Sequence, residues 1–207
     1  MFKYKDVFNL KLADRFEKTG DFDFPVIKQA KTIPKEIIPF NKALSNKNPG
    51  QKYVHFYIDD YQFERLWNRP EYYAKVLSKY PGIIGPDYST YTNMPKAQQI
   101  FQVYKSRLIT AFFQSQGYEV IPNISWSDEE SLKWSLQGIP KNSVVALSTN
   151  GVLNKKLKRN FINCYKKAME MINPSEIIIV GEVPKEIYSS KIVQFDNHIK
   201  QLRCLSN

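Results

Sequence analysis

At 207 residues and 24.2 kDa, the chain is long enough to bury one sizeable core and short for two full domains. Hydrophobic residues at 43% and aromatics at 14% exclude a disordered chain, and no apolar run approaches the ~20 residues that span a bilayer. A formal net charge of +10 suits polyanionic partners (nucleic acid, nucleotides or an acidic protein), and equally the plain alternative of a lysine-rich soluble surface, which charge alone does not set aside.

The opening stretch MFKYKDVFNLKLADRFEK mixes charges throughout and lacks the apolar core of a signal peptide. Cys164 and Cys204 stand in no CxxC or Cys/His spacing and read as free thiols. Together these lead us to expect a soluble cytoplasmic protein with no membrane association. Residues 1–50, punctuated by proline and without periodicity, read as an irregular arm that packs on the core and carries at most one or two strands. Residues 51–207 read as a single α/β domain.

From about residue 52, short β-branched runs alternate with longer amphipathic ones. Strands are expected at Tyr53–Ile58, Gly82–Gly85, Tyr118–Ile121, Ser143–Leu147, Glu176–Val180 and Lys191–Phe195, each bounded by Gly, Pro or Asn. Between them, Pro70 opens a helix running to about Lys79. Pro95 opens a longer one with Ile100, Tyr104, Leu108 and Phe112 at four-residue steps, stopping at Gly117. Ser127 and Glu130 have capping-box spacing for a helix ending near Gly138, and Asn154 is placed to cap a last helix reaching Ile172. This alternation implies parallel βαβ units: a mostly parallel sheet, either open or curled into an incomplete (β/α) barrel.

In both architectures function gathers at the carboxyl ends of the strands. The expected strands run out into Asp59-Asp60, Pro86-Asp87-Tyr88-Ser89, Pro122-Asn123-Ile124-Ser125-Trp126, Ser148-Thr149-Asn150-Gly151, Gly181-Glu182 and Asp196-Asn197-His198. Asp59, Asp87 and Glu182 are the candidate catalytic carboxylates, for general acid and base roles or for Mg²⁺. Asp60, Ser89, Asn123, Trp126 and Asn150 are candidate ligand contacts. The plainer reading is that loops are polar anyway: Asp60 then caps a short helix at residues 61–67, and Asn150-Gly151 is a turn. Asp87 and Asn123 resist it better, because each follows a proline that fixes the backbone. Trp126 is either core or a flat platform for a base.

The run NKKLKRNFINCYKK puts Lys155, Lys156, Lys158 and Arg159 at the start of one helix, with Leu157, Phe161, Cys164/Tyr165 and Ala168 as its apolar stripe. Those cations form either an ordinary solvated face or a phosphate site beside the crevice. No GxxxxGK[ST] or GxGxxG occurs, so P-loop and ordinary dinucleotide folds are unsupported. His55 and His198, the only histidines, give little basis for a catalytic triad or a zinc site.

The stretches VHFYIDDYQFERLWNRPEYY, GPDYSTYTNMPKAQQIFQVYKSR, GYEVIPNISWSDEESLKWSLQGIPKNSVVALSTNG and INPSEIIIVGEVP resemble the bacterial and phage family DUF4417. The GPD and IPN triplets, with Trp126 and Gly138-Ile139-Pro140 after them, carry the likeness over roughly residues 50 to 185. The resemblance implies a protein of phages or mobile elements with no established reaction.

Overall fold

β-Branched residues pack well on a pleated surface, and the expected apolar runs form strands almost where they were placed. The computed structural model describes residues 6–152 and 155–197; Asn154, His198 and Cys204 lie outside them. The strands are β1 (Lys18–Thr19), β2 (Phe24–Pro25), β3 (Glu36–Pro39), β4 (Lys52–His55), β5 (Gly82–Ile84), β6 (Glu119–Ile121), β7 (Val144–Ser148), β8 (Glu176–Val180) and β9 (Ile192–Phe195). The helices are α1 (Leu10–Ala13), α2 (Phe40–Ala43), α3 (Arg65–Asn68), α4 (Pro70–Leu77), α5 (Lys96–Ser115), α6 (Leu132–Ser135) and α7 (Lys155–Ile172).

Strands β3 to β6 form a parallel sheet in chain order, and β7 to β9 form another. A parallel bridge between Asn123 and Ala146 stitches the two together, with Ala146 N–H donating to Pro122 O (2.9 Å) and Ile124 N–H to Ala146 O (2.9 Å). The layer therefore runs in strict sequence order from β3 to β9. Right-handed crossovers in such an order put successive helices on one face and let the other curl inward.

Burial follows that geometry. On the outer face Val54, Phe56, Ile83 and Val120 pack under Leu66, Leu77, Leu108 and Phe112. Val145, Leu147, Ile177 and Ile179 do the same under Phe161, Cys164, Ala168 and Ile172. The inner face is also buried: Tyr53, Tyr57, Ile84, Ile121, Val144, Ala146, Ile178 and Val180 form one cluster, with Ile37, Val193 and Phe195 half-buried at its edges. Each aliphatic side chain so buried contributes about 1.5–3 kcal/mol of transfer free energy. Among the described residues β9 does not pair with β3, so this is an α/β fold whose parallel layer is not closed into a complete barrel.

The amino-terminal arm is more involved than expected, since β3 is the edge strand of the sheet itself. Ala30 crosses the amino end of β7, its N–H donating to Ser143 Oγ (2.9 Å) and its carbonyl accepting from Val144 N–H (2.9 Å). Lys28 exchanges two backbone bonds with the Gln114 side chain (2.8 and 2.9 Å). Residues 28–31 of the arm thus lie over the amino ends of the strands.

Three local expectations change. β4 stops at His55, because the chain turns immediately after it, with Ile58 N–H donating to Phe56 O (2.8 Å). The capping box does not form: Ser127 Oγ donates to Gln99 Oε1 (2.5 Å) and Glu130 pairs with Lys96 (2.7 Å). Ser131 Oγ instead takes the Ser127 and Asp128 N–H groups (3.0 and 3.1 Å), leaving only the short α6 as regular helix.

Candidate functional site at the strand carboxyl ends

The long helix α5 backs the exits of β5 and β6 with polar groups. Ser106 Oγ donates to Pro86 O (2.6 Å), and a Cβ built on Gly85 would meet Thr110 Oγ1 at 2.6 Å. Only glycine lets the β5 backbone come that close, so the GPD triplet is a close approach followed by a fixed φ and a carboxylate. Gly85 N–H continues the ladder to Ile121 O (2.9 Å). Asp87 emerges beside Asn123, which follows the next strand.

Asn123 is 2% exposed and uses both ends of its amide. Its Nδ2 donates to Asp87 Oδ1 (2.9 Å), and its Oδ1 accepts from the Tyr57 hydroxyl (2.9 Å). Tyr57 comes from the inner face at the end of β4, where His55 stacks on it (5.6 Å between ring centroids). Three successive strand ends are thereby tied together. Asp87 keeps part of its surface open to solvent while sitting deep among protein atoms. Burial pushes its carboxyl up to about 7; the Asn123 bond opposes this and the charge of Asp60 adds to it. Burial, with the Asp87 charge behind it, also holds the Tyr57 hydroxyl well above the usual tyrosine range.

Asp60 does not cap a helix. It accepts from Ser89 N–H (3.0 Å), Ser89 Oγ (2.8 Å) and Gln102 Nε2 (3.2 Å), bracing the loop that follows Asp87. Ser89 Oγ also lies 3.1 Å from the hydroxyl of the exposed Tyr91. Behind the loop, Lys105 Nζ sits 4.0 Å over the Tyr88 ring and pairs with Glu64 (2.9 Å).

The other expected residues lie elsewhere. Asp59 is exposed, 3.4 Å from Gln62 Nε2, and Glu182 is exposed on the turn after β8. Asn150 is exposed and accepts from Asn197 Nδ2 (2.6 Å). Trp126 is half-buried and stacks on Phe161 of α7 (5.6 Å, 30° between rings), which makes it part of the packing there. Lys155, Lys156 and Arg159 are exposed, and none forms an ion pair among the described residues; Lys158 pairs with Glu186 (3.0 Å). Among the described residues no three His, Cys, Asp or Glu side chains come together to hold a metal ion. Two open grooves, about 260 and 400 Å³, flank α7 near Met171 and Tyr188, and neither is lined by these residues.

Tyr57, Gln102 and Arg107 were not picked out by the sequence. Period-two alternation in YVHFYI places Tyr53, His55 and Tyr57 on one face, a signal that could have found the first. Nothing local marks the other two, because their partners are far away in the chain.

A carboxyl group near pKa 7 exchanges a proton readily at neutral pH, and Asp60 supplies a second acceptor beside it. Such a pair of acceptors suits hydrogen-bond donors. A bare phosphate would instead face two acids.

No helix among the described residues is long and apolar enough to cross a membrane. No solved structure matches this chain. It is similar to the Gene 1 protein of Mycobacterium phage L5, 31% identical over 183 residues that cover 86% of this chain and 78% of that protein. The Gene 1 protein of Mycobacterium phage D29 is 31% identical over 159 residues, 73% of this chain, which spans 56% of that relative's length. Residues 16–196 match the domain of unknown function DUF4417, and the chain, akin to these phage proteins, belongs to that family.

Proposed function

We propose that the carboxyl-end face of the parallel layer binds a nucleotide or a nucleic-acid segment, with Asp87 as the proton-exchanging group. The observation that carries this reading is the buried bond between Asp87 and Asn123, which holds a carboxyl of pKa about 7 at a partly open strand exit. Ionising a carboxyl in such a place works against stability, and groups of that kind cluster at functional sites. In this arrangement Asp60 and Asp87 accept from the amino groups of a base. Phosphates are left to cations away from these two acids, consistent with the net charge of +10. Asn123, with both amide ends occupied, orients Asp87 and is not the ligand contact.

The test is a calorimetric titration with a panel of nucleotides and short oligonucleotides at low salt, using wild type and Asp87→Asn. Binding that weakens about tenfold or more in a folded Asp87→Asn protein supports the reading. Undiminished affinity in that variant overturns it.

A second reading has its own observation: Lys155, Lys156 and Arg159 stand exposed at the start of α7 without ion pairs among the described residues. In that reading the chain grips nucleic acid or a host protein through this basic surface and performs no chemistry. Affinity then falls steeply with salt and with the three cations changed to Glu, and ignores Asp87.

A further inference from the structure

Arg107 lies in the middle of α5 and is 2% exposed. Its guanidinium donates to three backbone carbonyls: Nε to Gln137 O (3.3 Å), Nη1 to Asn123 O (3.2 Å) and Nη2 to Ser135 O (2.5 Å). Among the described residues no carboxylate forms an ion pair with it. Burial draws its pKa down to about 9, the mark of a cation removed from water without an anion to offset it. An apolar side chain of similar length could fill the same space without that penalty, so bulk alone does not account for arginine here. A planar fork can do what an apolar chain cannot, which is to fix several carbonyls at set directions.

Two of those carbonyls belong to the last residue of α6 and the turn that follows it, and the third belongs to Asn123 itself. We infer that Arg107 is a positioning residue: by clamping the Asn123 backbone against the turn at residues 135–137, it aims the Asn123 amide at Asp87. The inference rests on the assignment of Asp87 to the proposed site, although its test needs no ligand. The carboxyl of Asp87 is faced by Asn123 Nδ2 directly, by Asp60 through its charge, and by Tyr57 through Asn123. The first and the last pass through Asn123 and so depend on Arg107; the Asp60 charge does not.

The experiment follows the Asp87 side-chain carboxyl by carbon-detected NMR across a pH titration. Arg107→Lys retains the positive charge and cannot span three carbonyls. Loosening Asn123 removes a bond that favours ionised Asp87, so the midpoint should rise by about half a pH unit or more. Ile109→Val, a buried change on the same helix, should leave it in place and serves as the control for general destabilisation. In an Asn123→Ala background, Arg107→Lys should have no further effect on the midpoint. An unmoved midpoint in Arg107→Lys overturns the inference, as does an equal rise in both backgrounds. Should Arg107→Lys not fold, Arg107→Gln is read in the same way. If neither folds while Ile109→Val does, Arg107 is a core brace and the inference is overturned. A protein that binds no nucleotide but shows the Asn123-dependent rise would sink the proposed function and leave this inference standing.

Discussion

After β5 and β6, Asp87 and Asn123 are drawn below the surface and bonded to each other; after β7 and β8, Asn150 and Glu182 stay exposed on turns. The residue types at the four exits are alike, and the strands belong to one parallel layer. What differs is the helix behind them. α5 presents Ser106, Arg107 and Thr110 to the β5 and β6 exits, all buried, so polar groups there find partners inside. α7 presents Phe161, Cys164, Tyr165, Ala168 and Ile172 to its half, an apolar stripe with nothing to offer an inward-turned carboxylate. The Cys164 thiol is accordingly pushed up to about 11, chiefly by burial. A polar strand exit becomes a buried cluster only where the backing helix is polar too.

The sharpest break in this comparison is at the two asparagines. Asn123→Ala strands the Tyr57 hydroxyl and the Asp87 carboxyl without their partner, which should cost about 3 kcal/mol. For a chain of this length that is a fall in Tm of roughly 6–12 °C. Asn150→Ala, losing one exposed bond to Asn197, should stay within about 0.5 kcal/mol. Equal losses measured by thermal melting would erase the distinction between the two halves.

Asp60 and Glu182 form the next pair. Asp60→Ala removes an acceptor of three donors and should destabilise by about 2 kcal/mol, read from the urea midpoint. Glu182→Ala should leave that midpoint nearly unchanged. This contrast also shows what was legible in the sequence and what was not. The strands, their parallel alternation with helices and the Pro86-Asp87 and Pro122-Asn123 exits could be read locally, because β-branched runs and prolines act on their own neighbours; the order of the strands in the layer could not. Asp60 reads locally as a helix cap; its true partners, Ser89 and Gln102, are 29 and 42 residues away. Arg107 follows Lys105 and Ser106 and reads as one more polar helix residue, and its buried role depends on carbonyls at 123, 135 and 137. Non-local hydrogen bonds leave no periodic trace, so half of the cluster stayed hidden.

An effect of the opposite sign is expected for Asp87→Asn. The folded-state pKa of Asp87 is raised above the ordinary 3.8 to about 7, so the folded chain binds more protons than the unfolded one across that window. Its contribution to stability is greatest below about pH 4 and is lost as pH rises through about 7. Asp87→Asn should therefore match wild type below about pH 4 and exceed it by roughly 4 kcal/mol at pH 8, about 1.4 kcal/mol for each pH unit between 3.8 and about 7. The loop itself is braced by Asp60, so no loss is expected from the neutral amide. Lower stability of Asp87→Asn at pH 8 would mean that the ionised carboxylate supports the fold. The smallest effect belongs to α7: changing Lys155, Lys156 and Arg159 to Glu should alter stability by no more than about 0.5 kcal/mol, since exposed charges contribute little.

The most direct measurement is the carboxyl titration of Asp87 in the wild-type protein, followed by carbon-detected NMR with Asp87→Asn used to assign the resonance. A midpoint near 7, accompanied by a response at Asn123 Nδ2, is the result expected of a buried carboxyl held at the mouth of the layer. A midpoint near the ordinary 3.8 would make Asp87 an exposed loop carboxylate, and the difference between the two halves of the layer would disappear.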